Sequence, residues 1–484
     1  MAEGRLTGLD ASFLHLENGG AHMHVAGVML FEGDPPGYED LVCATEARLH
    51  MVPRYRQKLA FVPLGQGRPR WIDDPHLNLR YHIRRTSLPP PGSEAQLRKL
   101  AGRVFSQPLD RDKPLWEIWL VDALEGDRFA MLSKTHHALV DGISGVDIIS
   151  VLFDATPEPP APPDPPPRWT AQPEPSRAQL LAEALLERAT VPSEAVRSVR
   201  AVFRGPRRVA SKAGESLVGV GAMAWAGLRP VPGSPYNVDI GPHRRFAWVR
   251  ASLDDVKAIK NALGGTVNDV VLATVAGGLR RHMERRGARQ VEALRAMVPV
   301  SVRSDEERGN LGNKVAAMMA PLPVSEEDPQ RRLATIAGSM QGIKRSGQAV
   351  GAQVLTQLSG FAPPTLMAQG SRLVSTKRLF NVVVTNVPGP QYPLYLLGRE
   401  LHDTFPMVPL AKGQALGIAI MSYNGRINFG LLGDWDAMAD LDDLAEDFEA
   451  SLQELADAAG VTLGAPAPAT PPSAPRRPRR HVAT

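Results

Sequence analysis

The sequence predicts an α/β (α+β) protein of two mixed domains, each a sheet with flanking helices, and three observations lead there. The chain has 484 residues, more than one ordinary core holds and suited to two domains of roughly 150–250 residues each. Short apolar runs of strand length alternate with stretches of helical periodicity along most of it. Over residues 156–176 the composition turns sharply to proline, which cannot pack a core and reads as a semi-rigid, extended linker. The expected organisation is therefore a first domain over 1–155, the linker over 156–176, and a helical connecting region over 177–235, basic and then apolar. A second domain follows over 236–463, and a tail rich in Ala, Pro and Arg over 464–484 reads as disordered.

Taken in order, residues 25–31 and 115–121 have the length and apolarity of strands, and 129–132 read as a buried strand. Helical patterning covers 38–48 and 93–105. Glu125-Gly126-Asp127 between two apolar runs reads as a hairpin turn. Asp141-Gly142 punctuates the chain, and 143–153 resumes helical spacing. Beyond the linker, 177–210 reads as an arginine-rich helix and 216–228 as an apolar packed segment. A further helix is expected behind Thr266-Val267-Asn268-Asp269, where Asn268 is a candidate N-cap and Asp269 a partner of the helix dipole. The apolar run 381–384 reads as a strand entering Asn386-Val387-Pro388-Gly389-Pro390, which reads as a rigid turn reversing the chain.

Composition narrows the function classes. With 55 basic against 51 acidic residues the net charge is +4, too small an excess to indicate nucleic-acid binding. A single cysteine, Cys43, permits no internal disulfide and no cysteine metal site. The first eight residues carry Glu3 and Arg5 and no apolar stretch, so no secretory leader is expected. No apolar run approaches the roughly 20 residues of a spanning helix. A soluble cytoplasmic protein is expected, with peripheral contact at the inner membrane face or on lipid droplets. The arginines between Arg197 and Arg208 beside the apolar 216–228 suit such contact. No G-x-S-x-G elbow supports a serine hydrolase, and no glycine-rich phosphate loop supports a nucleotide fold.

The chemistry is concentrated in Lys134-Thr135-His136-His137-Ala138-Leu139-Val140-Asp141-Gly142, at the end of an expected strand and before a helix. Adjacent strand residues face opposite sides, so one imidazole can enter a cleft while the other packs behind it. Asp141 lies on a turn that can fold back and pair with an arginine. A neutral imidazole in reach of a hydroxyl can take its proton as the oxygen attacks a thioester, and the oxyanion so formed needs a fixed donor in a dry site. The pattern of two histidines followed by Asp-Gly arises by chance in about one such chain in a thousand. A solvated or core-packed histidine pair is the bland alternative, and zinc is a weaker one, because neither H-E-x-x-H nor a cysteine pair is present.

The run from His136 to Gly142 resembles the active-site motif of the bacterial wax ester synthase/diacylglycerol acyltransferase (WS/DGAT) family. Further segments resemble that family in the same order. They are Leu9-Asp10-Ala11-Ser12-Phe13-Leu14, Pro114-Leu115-Trp116, Thr266 through Ala273, Val298-Pro299-Val300-Ser301-Val302-Arg303 and Asn386-Val387-Pro388-Gly389-Pro390. The resemblance implies two chloramphenicol acetyltransferase-like domains, akin to peptide-synthetase condensation domains, with the active site at their interface. It implies direct transfer of a fatty acyl group from acyl-CoA to the hydroxyl of diacylglycerol or a long-chain alcohol, with no acyl-enzyme, no metal and no cofactor beyond acyl-CoA as co-substrate. His137 is then the base, with His136, Asp141 and Asn268 completing the catalytic set, Asp141 in a structural role and Asn268 toward the reacting carbonyl or alcohol. Gly142, Asp269, Arg303 and Asn386 are the candidates beside the substrates, Arg303 also as the partner of Asp141. Two alternatives stay open: a condensation-type enzyme using carrier-bound acyl groups, and a lipid-surface binding protein with a silent site.

Overall fold

The computed structural model describes residues 4–17, 20–140, 148–158, 169–186, 231–288, 291–301, 315–345 and 379–464. The first half contributes helices α1 (Gly8–Leu16), α2 (Tyr38–Arg48), α3 (Leu79–His82), α4 (Glu94–Phe105), α5 (His137–Val140) and α6 (Ile148–Leu152). Its strands are β1 (His24–Glu32), β2 (Gln57–Ala60), β3 (Arg70–Asp73), β4 (Ile83–Ser87), β5 (Trp116–Leu124) and β6 (Arg128–His136). The second half contributes β7 (Arg244–Ser252), α7 (Leu253–Leu263), α8 (Val267–Arg285), β8 (Leu294–Ser301), β9 (Val315–Leu322), α9 (Pro329–Arg345), β10 (Val382–Pro388), β11 (Tyr395–Leu396), β12 (Arg399–Met407), β13 (Leu416–Tyr423), β14 (Arg426–Asp434) and α10 (Leu441–Ala459).

Local chemistry explains why these segments take these forms. The helix expected over 93–105 starts from a capping box in which Ser93 and Gln96 satisfy each other's backbone N–H groups. Leu97, Ala101, Val104 and Phe105 then recur at helical spacing and are buried. The hairpin turn between β5 and β6 places Gly126 and Asp127 at positive φ, as a primed turn matched to strand twist requires. Residues 177–186 are helical, as expected for the start of the connecting region. The remainder of that region, including 197–208 and 216–228, lies outside the described residues, as does the tail.

Two six-stranded mixed sheets form, in the orders β11-β12-β1-β6-β5-β4 and β7-β14-β13-β10-β8-β9. One core packs the first sheet against α1, α2 and the segment after β6. Another packs the second sheet under α8, α9 and α10. The segment 236–463, expected as a continuous second domain, sends two strands across. After β10 the chain enters the first sheet as β11 and β12, then returns as β13, parallel to β10. β12 runs antiparallel to β1, with Val28 opposite Phe405 and Ala26 opposite Met407. The reading of Asn386 to Pro390 as a turn is corrected here: Asn386, Val387 and Pro388 are still strand, Asn386 registering with Ile420 of β13. The ladder offered by β13 outweighs the local turn preference of Asn and Pro, and Pro388 stands at the last position of the strand.

The crossing is cemented by a third core shared between the halves, containing Val28, Leu97, Val104, Trp248, Phe405 and Leu432. Trp248 stacks on Phe405 at 4.6 Å. Contact is so close that a Cβ on Gly430 would meet the Pro406 carbonyl at 1.8 Å, and one on Gly102 would meet the Arg244 carbonyl at 2.8 Å; glycine is required at both for steric reasons. Arg250 of β7 clamps the elements together. It donates to Asp403 of β12 at 2.9 Å and to both carboxylate oxygens of Glu94 at 3.0 and 2.9 Å. Burial alone would raise the Asp403 carboxyl, but His402, Arg250 and Arg426 hold it well below the usual carboxylate range.

Arg250→Met should therefore cost about 3–5 kcal/mol, nearer the lower figure because Arg426 and Asn428 still face Asp403. A shift of the urea midpoint at unchanged slope would measure it. Because the folded pKa of Asp403 is depressed, its contribution is present above the ordinary carboxylate pKa and lost as pH falls, so the gap between variant and wild type should close from about pH 5 toward pH 2. A gap that stayed constant with pH would rule out the carboxylate as its source.

Candidate active site

β6 lies in the middle of the first sheet, between β1 and β5, with His136 in register with His24. The strand ends at His136, and His137 opens the single turn α5. The backbone N–H of His136 donates to the Leu115 carbonyl and that of His137 to the Met23 carbonyl, both at 2.9 Å. The neighbouring strand ends thus hold the peptide units of both histidines. The two rings diverge. His136 shares the strand face of Ala130, Leu132 and Lys134 and is 1% exposed. His137 is half-buried and stacks on Phe13 of α1 at 4.0 Å, with 14° between the planes.

A buried polar network backs the pair. His136 Nδ1 accepts the Ala138 N–H at 3.1 Å, and Nε2 lies 3.6 Å from Glu17 Oε2. Glu17 in turn accepts from Arg111 Nε and Nη2 at 3.1 and 2.6 Å and from the Met23 N–H at 3.2 Å. Burial would raise the Glu17 carboxyl, but His136 and Arg111 bring it from 4.5 down to about 2. Farther along the same strand, Lys134 is enclosed, 3.2 Å from Glu117 and donating to the Gln107 carbonyl at 3.0 Å. Burial lowers its pKa, against the pull of Glu117. His24, in register with His136, contacts the Phe105 carbonyl through Nε2 at 3.1 Å, and burial, with Lys134, drives its pKa well down. An open pocket of about 310 Å³ borders this network, lined in part by Glu17, His22, Leu109 and Arg111.

The second-half residues form their own pair. Asn386 Nδ2 donates to Asn268 Oδ1 at 3.1 Å, tying the first turn of α8 to β10. The N-cap of α8 is Thr266, which corrects the reading of Asn268 as a cap. Asp269 closes a capping box by accepting from Thr266 N–H and Oγ at 2.9 and 2.8 Å. Its carboxylate is buried and occupied there, which suits a helix-start role rather than direct substrate contact. Asn268, relieved of capping, remains a side-chain amide fixed in orientation by Asn386. Asp141, Gly142 and Arg303 lie outside the described residues. The structure thus joins His136 to His137 on the first half and Asn268 to Asn386 on the second. Glu17 and Arg111 escaped the sequence reading, since a lone Glu and Arg 94 positions apart form no motif. Phe13 stands inside a quoted motif, and its aromatic character at helical spacing was the available signal.

Two mixed sheets, the first completed by a strand pair from the second half, with adjacent histidines at the end of an inner strand, define a two-domain acyltransferase of the chloramphenicol acetyltransferase-like class. Residues 6–271 match the wax ester synthase/diacylglycerol acyltransferase catalytic domain, and residues 311–456 match the WS/DGAT C-terminal domain. The chain belongs to the WS/DGAT family. A Mycobacterium tuberculosis protein named a probable diacylglycerol O-acyltransferase, tgs2, is 35% identical over 461 residues, which are 93% of this chain and 98% of the relative. A second from the same organism, tgs1, is 32% identical over 458 residues, 93% of this chain and 95% of the relative. The solved wax ester synthase/diacylglycerol acyltransferase from Marinobacter aquaeolei VT8 is 27% identical with a TM-score of 0.68, covering 94% of this chain and all 100% of that one. The starter condensation domain of rhizomide synthetase shares the fold at 13% identity, TM-score 0.57, with 95% and 97% of the two chains covered.

The Phe13 stack holds the plane of the His137 ring, and such contacts are worth about 0.5–1.5 kcal/mol beyond burial. Phe13→Ala should lower kcat for ester synthesis by about 10-fold through misorientation, with Phe13→Leu, which keeps bulk but not the ring face, in between. Steady-state rates on the two variants would check this; equal rates for Leu and Phe would show that bulk alone matters.

Proposed function

We propose that the enzyme transfers a fatty acyl group from acyl-CoA to the hydroxyl of diacylglycerol, making triacylglycerol, and also accepts long-chain alcohols to make wax esters. The observation that carries this reading is His137, its backbone anchored by Met23 and its ring by Phe13. His137 takes the proton of the acceptor hydroxyl as the oxygen attacks the thioester carbonyl. In the tetrahedral intermediate the negative charge rests on the former carbonyl oxygen, and the Asn268 amide, held by Asn386, supplies a donor toward it. When the intermediate collapses the C–S bond breaks, the C–O bond remains, and the proton passes from His137 to the departing CoA sulfur. Asp141, Gly142 and Arg303 belong to the same proposal by their place in the family motifs. His137→Ala should reduce ester formation at least about 100-fold, followed as triacylglycerol from acyl-CoA and diacylglycerol. Release of CoA thiol without ester product by the wild type would overturn the reading.

Peripheral contact with a lipid surface is part of the same proposal, since diacylglycerol resides in lipid. What supports it is the connection between β2 and β3, where Leu64 is 85% exposed and Phe61 47%. Lys58 and Arg68 lie on the same hairpin, where Arg70 is paired with Glu183, so an apolar tip stands on a basic stem, a combination suited to anionic lipid. The double variant Phe61→Ser, Leu64→Ser should lose most of its co-sedimentation with anionic vesicles; sedimentation equal to wild type would remove this surface from the proposal.

A further inference from the structure

We propose that Glu17 is a positioning residue for the general base: clamped by Arg111, it fixes which nitrogen of His136 carries the proton, and through the Ala138 N–H it holds the turn that aims His137. The inference rests on the reading of His137 as the base of acyl transfer and adds what keeps that base in place.

The Ala138 N–H donates to His136 Nδ1 at 3.1 Å. A ring nitrogen that accepts carries no proton, so the neutral ring must carry its proton on Nε2. Nε2 faces Glu17 Oε2 at 3.6 Å and has no nearer polar partner among the described residues. That separation exceeds a hydrogen bond, so the attraction is between a carboxylate charge and an N–H dipole, in a setting where His136 is 1% exposed and screening is weak.

The carboxylate is itself fixed in direction. Arg111 holds Oε2, and the Met23 N–H holds Oε1 at 3.2 Å. Met23 then accepts the His137 N–H through its own carbonyl at 2.9 Å. Two routes therefore run from Glu17 to the backbone around His137, one through the His136 ring to the Ala138 N–H, one through the Met23 peptide to the His137 N–H. Were the opposite tautomer populated, an Nδ1–H would face the Ala138 N–H, donor against donor, and α5 would have to shift. Displacements of about 1 Å at a reacting group cost on the order of 100-fold in rate.

The test uses the full-length enzyme with ¹⁵N-labelled histidine, the His136 signals being assigned by their loss in His136→Gln. The wild type should show His136 with Nε2 protonated and Nδ1 bare. Glu17→Gln, which keeps shape and removes charge, should show both tautomers and a kcat lower by about 10- to 100-fold, with KM for acyl-CoA within about 3-fold. In a His136→Gln background the same change should alter kcat by less than about 2-fold, since the ring through which it acts is gone. The proposal is overturned by an Nδ1-protonated His136 in the wild type, by wild-type kcat in Glu17→Gln, or by equal losses in both backgrounds. Should Glu17→Gln not fold, Arg111→Gln takes its place, with an expected kcat loss of about 3- to 10-fold, and an unchanged kcat there would count against it equally. A wild type that forms no ester would defeat the acyl-transfer reading alone, because the tautomer is measured without substrate.

Discussion

The arrangement depends on one register, the pairing of β12 with β1. By placing Met407 opposite Ala26, while Ala26 lies opposite Lys134 of β6, it brings a strand supplied by the second half to within two positions of His136 and its partner His24. The halves are thus joined by a ladder of backbone hydrogen bonds and not by side-chain contact alone. A slip of one residue would turn Phe405 away from Trp248 and expose its face of the strand. The shared core and the Arg250 clamp enforce the register, and Gly430 and Gly102 permit the approach.

The same frame explains the buried charge gathered behind the strand end. Lys134 and Glu17 sit where burial opposes ionisation. Each charge survives because it faces an opposite charge or several fixed donors, the condition under which buried ions are tolerated. Such a network adds little net stability, but it leaves few alternative conformations for the strand end that leads into His137. Rigidity is obtained from polar groups behind His137, and the aromatic face of Phe13 sets its ring plane.

Much of the local structure was legible in the chain. The helices at α2 and α4 and the hairpin between β5 and β6 follow from apolar spacing, the capping box that opens α4 and a glycine at positive φ, all short-range effects. Thr266 and Asp269 form a capping box readable as such, and its existence displaces Asn268 from the cap. The reading of Asn386 to Pro390 as a turn failed because local preference competes there with a parallel ladder from residues 417–422, which no short window contains. Glu17 and Arg111 were illegible for the same reason: their meaning comes from a partner far along the chain.

By itself the sequence determined the class of chemistry and the presence of two mixed domains, because a histidine pair with Asp-Gly, a proline break and alternating periodicities are properties of neighbours along the chain. Only the tertiary structure decided that the second half lends two strands to the first sheet, that His136 and His137 part to opposite sides, and that Phe13, Glu17 and Met23 converge on them. Those outcomes are set by long-range pairing and burial, whose free energy depends on which distant surfaces meet, and that information is spread too thinly along the chain to be read from any one segment.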